Sequence, residues 1–126
     1  MKVLNIVSNA YRATLEEQDD TVLWLSQTLR RAGAEVDLLL RAGASNYAVT
    51  GQGAAPLAIA GRVQSHAPDV HGQLADLVAS GAALFLIEED LDAYGLRECP
   101  RLEPSEIVAN AALPGLLARY DAVWHW

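Results

Sequence analysis

The run Ala82-Ala83-Leu84-Phe85-Leu86-Ile87 carries no polar side chain and stops abruptly at Glu88-Glu89-Asp90. So short an apolar run fits a strand covered on both faces and not a membrane span. Acidic residues directly after it suit the first turn of a helix, where unpaired N–H groups and the positive end of the dipole meet them. Leu91 and Tyr94 follow at helical spacing, and Gly95 suits the left-handed residue that ends a short helix. Strand, tight turn, helix and stop are therefore expected across Gly81–Leu96. In open parallel α/β sheets ligands gather at the carboxyl ends of strands, beside a switch in strand order. The turn Ile87–Asp90 is accordingly where a site is expected.

The rest of the chain alternates in the same way. Val3, Leu4, Ile6 and Val7 mark a strand over Lys2–Val7, followed by a polar loop from Ser8 to Gln18. Asp19 or Asp20 caps a helix to Ala32, with Val22, Leu25 and Leu29 at helical spacing, and Gly33 ends it before a second strand, Glu35–Leu40. Asp69 caps a helix carrying Val70, Leu74, Leu77 and Val78 that ends at Gly81. Glu106–Ala109 reads as a short strand, Pro114 locates the start of a helix to Tyr120, and Ala122–Trp126 reads as a last strand. Arg41–Pro68 is rich in Gly, Ala and Ser and has no clean period. A mobile loop over Ala42–Gly53 and a helical turn or two around Leu57–Gln64 are expected there. The fold class is α/β: one domain over residues 1–126, a mostly parallel sheet of about five strands, with helices on both faces in flavodoxin-like layering.

Bulk properties narrow the function. The 126 residues are 52% hydrophobic, enough for one sizeable core. No run reaches membrane-helix length, and Asn5 and Ser8 break any signal-peptide pattern, so a cytoplasmic protein is expected. A net charge of −7 argues against nucleic acid and anionic membranes as partners. The single cysteine, Cys99, excludes an internal disulfide and a Cys-rich metal site.

The segment Leu86-Ile87-Glu88-Glu89-Asp90-Leu91-Asp92-Ala93-Tyr94-Gly95-Leu96 resembles the stretch after the central strand in the DsrE/DsrF/DsrH (Tus) sulfur-relay superfamily. The acidic Glu88-Glu89-Asp90-Leu91 with its glycine turn is closest to the DsrH/TusB branch, as is the Trp126 ending, whereas Met1–Leu40 resembles the DsrE branch. The resemblance implies a DsrE-like fold and homo-oligomers, or hetero-oligomers with related subunits. It also implies a persulfide cysteine near the end of the central strand, where the following helix would lower a thiol pKa. That position falls at Ile87, which cannot carry sulfur.

Cys99 remains as the candidate catalytic thiol. It lies between Arg97 and Arg101, whose charge would favour the thiolate, with Glu98 opposing; a half-buried side chain near a turn is the plainer account. Asn9, Tyr11 and Arg12 follow the first strand and face the same edge as Ile87, so they are candidates to hold a small anion, with an ordinary polar loop as the alternative. Asn46 and Tyr47 sit in the analogous loop with a weaker case. Glu88 and Glu89 are further ligand-binding candidates, although helix-capping charge explains both. His66, His71 and His125 lack metal-ligand spacing, so neither metal nor cofactor is expected. Trp124 and Trp126 suggest an edge packed on a partner chain. The leading expectation is an oligomeric sulfur-relay subunit that lacks the usual persulfide cysteine, with sulfurtransferase activity only if Cys99 reacts. The alternative is a small-anion or small-ligand binding module built on the carboxyl-edge loops.

Overall fold

The β-branched and leucine-rich runs form a five-stranded parallel sheet in a computed structural model that describes residues 1–11 and 19–126. Its strands are β1 (Lys2–Val7), β2 (Glu35–Leu40), β5 (Leu84–Ile87), β6 (Glu106–Val108) and β7 (Ala122–His125). They lie in the order β6-β5-β2-β1-β7, so strand order reverses at β1, which has β2 on one side and the last strand on the other. Val3 pairs with Val36 across β2 and with Ala122 across β7. A separate two-stranded hairpin joins β3 (Ala58–Ile59) to β4 (Arg62–Val63).

Because side chains alternate along a strand, each face of the sheet collects its own apolar set. Val7, Leu38, Leu40, Leu84 and Leu86 pack under helices α1 (Thr21–Arg31) and α2 (Val70–Ala79), which supply Leu23, Leu74 and Leu77. Leu4, Ile6, Leu39, Phe85 and Ile87 form the opposite core under the short α4 (Leu113–Leu117) through Leu116. Helices thus cover both faces, as the βαβ alternation requires.

Local signals account for the element ends. Asp20 is the cap of α1, its Oδ1 accepting from Val22 and Leu23 N–H at 2.9 and 3.1 Å. Asp69 caps α2 through Gly72 N–H at 2.9 Å, and Gly33, Gly81 and Gly95 take φ of 93°, 95° and 68° after helices. The helix α3 (Glu88–Ala93) begins directly on Ile87, with the three carboxylates in its first turn.

Two expectations in the middle of the chain are corrected. Ala42–Ala48 is a 3-10 helix whose Ala44, Ser45, Tyr47 and Ala48 are buried, not a mobile loop. Leu57–Gln64 is an exposed β-hairpin, not helical turns: Ala60 and Gly61 both have positive φ, 50° and 77°, the geometry of a tight two-residue hairpin turn. Alanine in the first turn position concealed that signal, since Asn or Asp usually stands there. Arg12 and most of the Ser8–Gln18 loop lie outside the described residues.

Candidate functional site

The loops at the carboxyl ends of β1 and β2 enclose a cleft of about 440 Å³, lined among the described residues by Tyr11, Asn46, Tyr47, Gln52, Val70 and His71, together with small residues of the Gly51–Ala54 turn and Pro68. Its floor is set by the 3-10 helix. Asp90 Oδ2 accepts from the N–H of Ala42 at 2.8 Å and from Arg41 Nε at 3.2 Å, holding Ala42 at a φ of 47° and turning the chain sharply after β2. That turn carries Tyr47 inward, where it is 1% exposed. Its hydroxyl donates to Asp20 Oδ2 at 2.6 Å and accepts from the N–H of Tyr11 at 2.6 Å. Burial first, then the bond to Asp20, push the Tyr47 phenol well above the ordinary tyrosine range.

Tyr11 stands edge-on to Tyr47, with ring centroids 5.1 Å apart at 78°. Tyr11 has a φ of 56°, a left-handed conformation that costs energy for a bulky residue and persists only when its surroundings impose it. On the far wall, His71 Nδ1 lies 3.0 Å from the carbonyl of Tyr47. A carbonyl only accepts, so Nδ1 bears the proton and Nε2 is left as an acceptor when the ring is neutral. Gln52 donates to Asn46 Oδ1 at 3.0 Å and meets the Tyr11 hydroxyl only at 3.5 Å. None of these lining side chains is a carboxylate, lysine or arginine.

Of the residues singled out in the sequence, Tyr11 lines the cleft, as do the weaker candidates Asn46 and Tyr47. Asn9 is exposed on the approach to Tyr11. Glu88 and Glu89 point to other loops. Glu88 pairs with Arg97 at 2.8 Å, and Glu89 accepts from the N–H of Asn110 at 2.9 Å. With Asp90 on Arg41 and Ala42, the acidic turn ties three neighbouring loops to the end of β5. Gln52 and His71 were not singled out for this cleft. Gln52 stood in a glycine-flanked turn without a motif, and His71 was weighed only as a metal ligand.

Cys99 lies in the loop after α3, half-buried against the core, with Sγ 3.9 Å from the Gly95 carbonyl. Arg97, two positions earlier in sequence, is committed to Asp92 and Glu88. Arg101 donates to the carbonyls of Arg97 and Cys99. Ile87 is fully buried at the end of β5. At the reversal in strand order, Ser8 Oγ lies 2.7 Å from His125 Nε2, but among the described residues no hydrogen bond orients Nδ1, as a nucleophile–base relay would need. Among the described residues, no three His, Cys, Asp or Glu side chains gather to hold a metal, and no helix is long and apolar enough to cross a membrane.

No protein-family model matches this sequence, and no curated protein matches it. Solved structures do. The YchN protein from E. coli superposes with a TM-score of 0.77 at 18% identity, covering 100% of this chain and 99% of its own. MTH1491, a protein of unknown function from Methanobacterium thermoautotrophicum, superposes with a TM-score of 0.62 at 13% identity, covering 96% of each chain. The chain has a DsrE-like fold from end to end.

Proposed function

We propose that this protein is an oligomeric DsrE-like subunit of intracellular sulfur relay, related most closely to the DsrH/TusB branch, that supports assembly and does not itself carry the persulfide. The observation that carries this reading is the end of β5. Where the resemblance places the sulfur-bearing cysteine stands Ile87, 0% exposed, followed by carboxylates that would repel a thiolate. Two contacts speak against Cys99 as a replacement: its loop turns the thiol toward the Gly95 carbonyl, and the Arg97 guanidinium serves Asp92 and Glu88. The DsrE-like fold supplies the scaffold, and the half-exposed Trp126, just past the edge strand β7, supplies apolar surface for a neighbouring subunit.

Intact-protein mass spectrometry after incubation with a persulfide donor tests the reading, with Cys99→Ser as control. Equal masses before and after treatment of both proteins are expected. A gain of one sulfur atom on the unsubstituted protein alone would make Cys99 a carrier and overturn the assembly role.

A further inference from the structure

We infer that the β3–β4 hairpin is a docking arm that seats on the open edge of β6 in a second copy of this chain. The contact rests on the oligomeric reading proposed for the protein and is independent of sulfur chemistry. Leu57 to Val63 are exposed throughout. Ile59 pairs with Arg62 across the hairpin, and paired residues of an antiparallel ribbon project from one face. Leu57, two positions before Ile59, shares that face. The arm thus presents two large aliphatic side chains beside a single guanidinium, with Val63 on the other face. A two-stranded ribbon is marginal in water by itself, so such a surface calls for a cover.

Charge selects the occupant. All 16 carboxylates of the chain lie outside residues 38–68, where Arg41 and Arg62 are the charged side chains. Arg41 is paired with Asp90, which leaves Arg62 to set the charge of the arm. Taking that one positive charge from the net −7 leaves −8 on the rest of the chain. Arm against arm would set Arg62 beside Arg62 with no carboxylate to meet either, whereas the body of another copy is acidic. The order of strands then selects the place. β6 ends the sheet, so the main-chain groups on its outer side have no neighbouring strand. Glu103 and Glu106 at its start and Ile107 within it are all exposed. At the other sheet edge, beside β7, Arg119 and Asp121 balance. An extended ribbon adds to an open edge through main-chain hydrogen bonds, and its side chains fix the partner. Ile59 covers Ile107, and Arg62 lies among the glutamates at the start of the strand. Within one chain the hairpin and this edge are both exposed, so neither covers the other.

Sedimentation velocity of the full chain at low ionic strength, where surface charge is least screened, tests the contact. The unsubstituted chain should sediment as an assembly. Arg62→Glu and Glu106→Arg should each weaken association roughly tenfold or more, and the two together in one chain should recover most of the loss. Glu106→Gln, which removes the charge and keeps the shape, should give a smaller loss in the same direction. Both side chains are exposed, so all four variants should melt with the unsubstituted chain. An assembly indifferent to either reversal, or a double variant no better than the single ones, overturns this contact and leaves the oligomeric reading standing. A monomeric unsubstituted chain at about 100 μM overturns both.

Discussion

The hydroxyl of Tyr47 stands 2.6 Å from Asp20 Oδ2, so one phenol on the 3-10 helix holds the carboxylate that caps α1. The same oxygen accepts the N–H of Tyr11, which makes the cleft wall and the helix cap parts of one buried network. Tyr47→Phe keeps the ring and strands both partners. Removing one member of a buried hydrogen-bonded set costs about 1–3 kcal/mol. Urea unfolding should show that loss as a lower midpoint with an unchanged slope.

Alkaline pH should expose the same network. Burial, followed by hydrogen bonds to Asp20 and Asp37 respectively, raises the phenols of Tyr47 and Tyr120 above the ordinary value of 10.0. An unfolded chain releases those protons near 10, while the folded chain keeps them. Their contribution is therefore complete below about pH 10 and is lost as pH rises beyond it. The midpoint of unfolding should fall above about pH 10, and tyrosinate absorbance from these two residues should rise together with unfolding. Tyr47→Phe should flatten the fall.

Asp90 should matter more to stability than its neighbours in the acidic turn. It holds the Arg41 guanidinium and the N–H of Ala42, both partly buried. Asp90→Ala should cost about 1–3 kcal/mol by taking the acceptor from the Ala42 N–H and from Arg41 Nε, leaving the guanidinium only its bond to Asn110. Ala42→Gly should be neutral or stabilise by up to about 1 kcal/mol, because left-handed strain at Ala42 is relieved while the unfolded chain gains freedom. Thermal melts of both variants check the pair.

Most of the fold was legible because its signals are local. Valine-, leucine- and isoleucine-rich runs, Asp20 and Asp69 as caps, Pro114 in a first turn and glycines after helices each name an element from a few neighbouring residues. The site was less legible, because it depends on pairs far apart in sequence. Tyr47 meets Asp20 across 27 positions and His71 across 24, and no spacing rule connects them. The acidic turn misdirected attention for a related reason. Its carboxylates are clustered in sequence, but their partners Arg41, Arg97 and Asn110 come from three different loops. Small residues hid the 3-10 helix, whose single large anchor is Tyr47.

Introducing a thiol at the end of β5 should not create a reactive one. Ile87 is fully enclosed by the core under α4, and a cysteine there would sit in apolar surroundings that favour the neutral thiol. With Cys99→Ser to remove the native thiol, Ile87→Cys should resist a maleimide reagent in the folded protein and react fully in urea. Rapid labelling of the folded variant would show that the end of β5 opens to solvent.

The β3–β4 hairpin provides a direct test of assembly. Ile59 and Val63 are 69% and 67% exposed, and two-stranded hairpins are marginal without a surface to pack against. Ile59→Asp with Val63→Asp should lower the mass seen by light scattering while leaving the melting of the domain core within about 0.5 kcal/mol. An unchanged mass would remove the hairpin from any subunit contact.

The place of β1 in the sheet has a consequence for how the chain is made. Lys2–Val7 is made before every other strand of the sheet, yet one of its flanks is closed only by Ala122–His125. Until that strand is made, a hydrophobic strand therefore waits with a row of unpaired amides and carbonyls facing outward. Translation that stalls before β7 should yield a sticky, aggregation-prone species, and chaperone demand should be set by the codons of Ala122–His125 more than by those of the strands between.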